Sequence, residues 1–157
     1  MVAAGFIGSL VALPVQATLI GDTISATGSQ LGPASATIGA GVEFVGVGGF
    51  LQFDFGASTL TISDGVVSSW SAFGNYVFSG FDQTITGLSI ASNTGFSGSI
   101  VNNFSFTSNS ITFDFNPSSQ RTADSVLVFN IQQVPEPATL ALLGLGLAGL
   151  GFSRRKQ

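Results

Sequence analysis

The chain of 157 residues contains no cysteine and no histidine, and only 8% of its residues are charged. Ordinary soluble domains carry about 25% charged residues. Without thiols or imidazoles there is no thiolate nucleophile and no imidazole base. A disulfide framework and the usual zinc, haem and iron–sulfur ligand sets are also excluded. Four Lys and Arg residues against eight acids leave a net charge of −4, which excludes a basic nucleic-acid-binding surface. Tryptophan, tyrosine and methionine occur once each. Apolar residues make up 45% of the chain, with 21 glycines and 15 phenylalanines. That is enough to build a core, so a disordered chain is excluded as well.

The apolar residues follow a β pattern. Within residues 50–55, Leu51, Phe53 and Phe55 share one face while Gln52 and Asp54 share the other. Residues 111–115 repeat the alternation, and residues 59–63 alternate in the same way. Residues 124–131 are apolar on both faces, with Leu127, Phe129 and Ile131 opposite Val126 and Val128, the pattern of a central strand. In residues 84–91, Ile85 is out of step with Leu88 and Ile90, and a bulge at Gly87 restores the phase. Turn signals recur every eight to twelve residues or so: Gly32-Pro33, Gly48-Gly49, Asp64-Gly65, Gly74-Asn75, Asn93-Thr94-Gly95 and Asn116-Pro117. The spacing predicts an all-β domain over residues 18–134, a single antiparallel β-sandwich, jelly-roll-like or Ig-like, of about eight or nine strands. No amphipathic helix of useful length precedes Pro135.

The two ends have a different composition. Residues 1–17 are uncharged and mostly apolar or small. An apolar stretch over residues 3–13 is broken by Pro14, and Val15-Gln16-Ala17 places small residues at the outer positions of a signal-peptidase site. Residues 1–17 therefore read as a signal peptide, with cleavage between Ala17 and Thr18. No Lys or Arg precedes the apolar stretch, so either the amino terminus supplies the positive charge or the true start lies upstream. At the other end, Pro135-Glu136-Pro137 leads into an uncharged run over residues 138–152, followed by Arg154, Arg155 and Lys156. As a helix this run rises about 22 Å, short of the ~30 Å hydrocarbon core. Snorkelling basic side chains and local thinning cover the difference. The basic cluster stays cytoplasmic by the positive-inside bias, which puts residues before Pro135 across the membrane. Pro135 and Pro137 hold Glu136 in an extended segment that another protein can read.

This tripartite end resembles the PEP-CTERM sorting signal of exosortase substrates. The resemblance covers about the last 24 residues. It implies recognition of Pro135-Glu136-Pro137 by a membrane-embedded exosortase, processing nearby, and delivery to the surface or extracellular matrix of a Gram-negative bacterium that makes exopolysaccharide and biofilm. The partners implied are exosortase and signal peptidase. The part between the ends is also similar to β-rich proteins carried by such signals, through residues 21–24, 41–44, 54–56 and 125–131.

Residues 18–134 offer little for catalysis. Arg121 is the only basic residue there, against Asp22, Glu43, Asp54, Asp64, Asp82, Asp114 and Asp124. A serine nucleophile lacks a conventional base. Only a carboxylate pair remains, Glu43 with Asp54, Asp64 or Asp114, as in glycoside hydrolysis. The expectation is therefore no enzyme and no cofactor. Asp22, Asp64, Asp114 and Asp124 are the available ligands for a structural calcium ion. Trp70 and Tyr76 are the candidates for an exposed aromatic platform that binds carbohydrate such as exopolysaccharide. The competing expectation buries Trp70 and leaves the Tyr76 hydroxyl in water at a strand end. The leading expectation is an exported structural or adhesive protein, with a carbohydrate-binding module as the alternative.

Overall fold

A computed structural model describes residues 17–28, 31–46, 49–64, 71–72, 74–115 and 119–134. These form eleven strands: β1 (Thr23–Gly28), β2 (Ser35–Thr37), β3 (Phe44–Gly46), β4 (Leu51–Phe55), β5 (Thr59–Asp64), β6 (Ser71–Ala72), β7 (Asn75–Ser79), β8 (Thr84–Ser97), β9 (Phe104–Phe106), β10 (Ser110–Asp114) and β11 (Ser119–Val134). A 3-10 turn, Gly98–Val101, lies between β8 and β9. The first sheet runs β2-β1-β7-β10-β9, and the second runs β3-β4-β5-β11, with β6 and β8 also paired to β11. Every strand pair is antiparallel. The all-β expectation holds. The strand number exceeds the expected eight or nine because β2, β3, β6 and β9 are only two or three residues long, too short to show a period of two.

Alternation decides which side chains meet between the sheets. Leu51, Phe53 and Phe55 of β4, Leu60 and Ile62 of β5, and Ile111 and Phe113 of β10, with Phe115 just beyond it, are fully buried. Phe78 of β7 is the hub of this layer. Its ring centroid lies 5.4 Å from that of Phe44, 5.0 Å from Phe53 and 5.2 Å from Phe55, all on the opposite sheet. Phe129 of β11 meets Phe104 and Phe113 in the same way, at 4.9 and 5.1 Å. Tilted and edge-on rings of this kind gain attraction beyond the area they bury. One flank of the sandwich is tied by a two-way backbone bridge between Gly32 and Val45, with N···O distances of 3.0 and 2.8 Å.

Strand β11 is central, as its sequence predicts, paired to β5 on one side and to β8 on the other. Its two apolar faces are not equivalent, however. Leu127, Phe129 and Ile131 are buried between the sheets, while Val126 is exposed and Val128 half-buried on the outer face. The β8–β11 register shifts between Gln132 and Gln133, where Gln132 faces Gly87 and Gln133 faces Ile85. This is the bulge expected at Gly87. A Cβ at Gly87 would come within 2.6 Å of the Gln132 amide oxygen, so the Gln132 side chain lies over the glycine.

Asn93-Thr94-Gly95 is not a turn, contrary to the sequence reading. Strand β8 continues through it, while β11 accommodates four residues between Arg121 and Val126 against the single Gly95 opposite. Asn93 braces the site by donating to the Phe96 carbonyl at 3.0 Å and accepting from the Phe96 N–H at 3.2 Å. On β11 the Ser125 hydroxyl donates to the Thr122 carbonyl at 2.6 Å and accepts from the Thr122 N–H at 3.0 Å. Asp124 takes φ 58° and Gly95 φ 80°. The composition that marks a turn also marks a bulge, because both need a positive φ.

Candidate functional site

The sorting signal read from the sequence begins where β11 ends, and the fold brings the other end of the domain to the same place. Leu19 precedes β1 and donates its backbone N–H to the Ala57 carbonyl at 2.8 Å. Gln133, near the end of β11, donates its side-chain amide to that same carbonyl at 3.3 Å. Ala57 lies in the hairpin between β4 and β5. The neighbouring Ser58 carbonyl accepts the Ile131 N–H at 2.8 Å, and Val134 pairs with Thr84 at the start of β8. The residues just after the expected cleavage point and those just before Pro135 therefore share one pole of the sandwich.

Ala17 is half-buried and Thr18 exposed, and the Thr18 hydroxyl accepts the Ile20 N–H at 3.2 Å. Residues 1–16 lie outside the described residues, and so do Pro135, Glu136, Pro137, the expected helix over 138–152, Arg154, Arg155 and Lys156. Among the described residues no helix is long and apolar enough to cross a membrane.

Glu43 belongs to the same pole and serves as a clasp. One carboxylate oxygen accepts the Gly39 N–H at 2.9 Å, and the other accepts the Phe55 N–H at 2.8 Å. The side chain thus joins the loop before β3 to the end of β4. Such charge-assisted bonds are stronger than neutral ones. The carboxylates weighed as its catalytic partners do not converge on it. Asp54 and Asp114 alternate with buried residues on β4 and β10, so they face outward from opposite sheets. Asp64 pairs with Leu51 at the far end of β4 from Phe55.

Asp22 is 5% exposed, and its carboxylate accepts the Asp82 N–H at 3.2 Å. Burial pushes its pKa above the ordinary 3.8, the backbone hydrogen bond from Asp82 opposes that shift, and the Asp82 charge adds to it. The calcium ligands considered from sequence are dispersed. Asp22 lies at the chain-end pole, whereas Asp114 pairs with Asn75 at the other end of the first sheet, and exposed Asp124 sits in the irregular part of β11. Among the described residues no three acidic side chains are grouped to hold a metal ion.

Tyr76 is fully buried, which corrects both sequence expectations for it. It is neither part of a surface platform nor a strand cap with a solvated hydroxyl. Its ring lies 5.2 Å from Phe53 and 5.2 Å from Phe115. Gly28 and Gly46 leave room for it, since a Cβ at Gly28 would fall 2.7 Å from the ring and one at Gly46 3.1 Å. Its expected companion Trp70 lies outside the described residues.

Sequence reasoning did not find the clasp of Glu43, the buried Asp22 or the shared pole. Only the first had a local signal, a single glutamate immediately before a buried Phe44. The other two arise from contacts between distant segments. Comparison with curated proteins and with solved structures yields no match. Residues 133–156 match the family model of the PEP-CTERM protein-sorting motif, beginning on the last two residues of β11. This chain therefore carries a PEP-CTERM sorting motif, which implies an exported, membrane-anchored precursor processed by exosortase.

Proposed function

We propose that residues 18–134 form a non-catalytic structural or adhesive unit of the cell surface or extracellular matrix of an exopolysaccharide-producing Gram-negative bacterium. On this reading residues 1–17 are the signal peptide, signal peptidase cuts between Ala17 and Thr18, and exosortase acts near Pro135-Glu136-Pro137. The observation that carries the reading is the direct junction between a β-sandwich and the sorting motif, at the end of its central strand. Supporting it, the one glutamate of the domain is engaged by two backbone amides. Burial of Tyr76 removes half of the aromatic platform that a carbohydrate-binding module would use.

Mass spectrometry of native protein from cell and matrix fractions, with and without exosortase, tests this reading. The expected mature chain starts at Thr18, lacks residues 138–157 and occurs in the matrix fraction only when exosortase is present. An intact C-terminus on surface-exposed protein contradicts the processing step. Loss of biofilm cohesion on deletion of the gene, restored by the intact gene, supports the structural role. Unchanged cohesion contradicts it.

A further inference from the structure

We propose that the pole shared by Leu19 and Gln133 is a membrane-docking surface, resting on the lipid headgroups while the precursor is anchored. The inference rests on the anchored-precursor reading above and adds which face of the domain meets the bilayer. Strand β11 remains paired to Val134, and the uncharged run begins at Ala138. Four residue steps at ~3.6 Å allow about 14 Å between Val134 and Ala138 at full stretch. The headgroup layer on each side of a ~30 Å core is itself roughly 5–8 Å deep. Even at full stretch the tether thus leaves Val134 no more than about 6–9 Å beyond the headgroup layer, which keeps the pole close to the surface.

The composition of the pole agrees. Among the described residues the three most exposed large hydrophobic side chains are Val134 at 51%, Ile20 at 46% and Val42 at 44%. Val134 pairs with Thr84, Ile20 sits beside Leu19, and Val42 adjoins Glu43, whose carboxylate grips the end of β4. All three thus fall on the chain-end pole. Isolated exposed apolar side chains need no explanation, but a concentration at the end nearest an apolar anchor suits an interfacial contact. Thr18, the expected first residue of the mature chain, lies at this pole too, one residue before Leu19.

Because the chain has no cysteine, single cysteines can report position without background. Full-length precursor carrying Ile20→Cys, Val42→Cys or Val134→Cys, and controls carrying Asn75→Cys or Asn103→Cys at the opposite pole, would each be labelled with a polarity-sensitive dye. Each is reconstituted with phosphatidylethanolamine/phosphatidylglycerol vesicles containing nitroxide headgroup lipid. Circular dichroism confirms that every variant folds. The expected result is flotation of all variants, with emission quenched at positions 20, 42 and 134 and retained at 75 and 103. Flotation with equal quenching at both poles, or none at either, overturns the docking surface and leaves the anchor intact. Blue-shifted emission at the pole without vesicles assigns the surface to a second copy of the chain and also overturns it. Failure to float removes the anchored reading, and the docking surface with it.

Discussion

Leu19 and Gln133, at opposite ends of the folded domain, both donate to the carbonyl of Ala57, at 2.8 and 3.3 Å. The convergence follows from topology. The strand entered after Leu19 and the strand ending at Val134 belong to different sheets; β11 is registered against β5, and the segment before β1 reaches the same hairpin through the Leu19 N–H. The domain is thereby presented to the membrane by one pole, with the sorting motif leaving from a strand paired to its last residue.

Glu43 is expected to matter for stability. Glu43→Ala removes acceptors from two backbone amides and should cost about 1.5–3 kcal/mol, the range for hydrogen bonds to charged groups. Glu43→Gln keeps one carbonyl acceptor and should cost less. Urea midpoints at constant m-value measure both. An unchanged midpoint in the alanine variant would show that the clasp contributes nothing.

Gly95 and Gly41 separate backbone strain from steric clash. Both have positive φ, 80° and 96°. A Cβ at Gly41 meets nothing within 4 Å, whereas one at Gly95 runs into the hydroxyls of Ser125 and Thr122. Gly41→Ala should therefore cost about 1–2 kcal/mol, the penalty for a left-handed non-glycine residue. Gly95→Ala should cost clearly more. Equal losses in thermal melts would mean that the β11 insertion yields freely.

Phe78 should be among the most sensitive core positions. Phe78→Ala removes a ring that touches three phenylalanines of the facing sheet and is expected to lose about 3–5 kcal/mol. Phe78→Leu keeps most of the volume and should lose less. Denaturant unfolding of both, read by far-ultraviolet circular dichroism, tests the ranking, and an alanine variant as stable as the leucine variant contradicts it.

Asp22 sets a pH dependence whose sign follows from its burial. Its folded-state pKa lies above the ordinary 3.8, so the folded state holds the proton more tightly than the unfolded state. The stability contributed by this group is largest below 3.8 and falls as pH rises through the raised folded value. Asp22→Asn retains an acceptor for the Asp82 N–H and removes the charge. Relative to wild type it should be more stable at pH 7 than at pH 3. Urea unfolding at the two pH values measures this, and a larger relative gain at pH 3 would reverse the assignment.

Much of the fold was legible in the residue pattern. Leu51, Phe53 and Phe55 announce a strand by alternation, and the apolar content of both faces of residues 126–131 announces the central one. Gly87 marks its bulge because Ile85 and Leu88 must both face inward. The signals that misled were local ones with two meanings. Asn93-Thr94-Gly95 reads as a turn, but its positive φ serves a bulge held by Asn93 and Ser125. Tyr76 reads as a surface ring because it follows a Gly-Asn turn, and only Gly28 and Gly46, distant in sequence, reveal the space for it. The sorting motif was legible in full, since its chemistry is carried by contiguous residues. The pole from which it leaves was not, because it depends on hydrogen bonds between segments that the chain order keeps apart.

The most direct test of the account attaches residues 133–157 to an inert secreted reporter in a host with the matching exosortase. The account predicts that the reporter reaches the cell surface or matrix with its C-terminal segment removed, and that deletion of exosortase leaves it membrane-bound and uncut. A reporter that stays uncut and unsorted in the competent host would contradict the account.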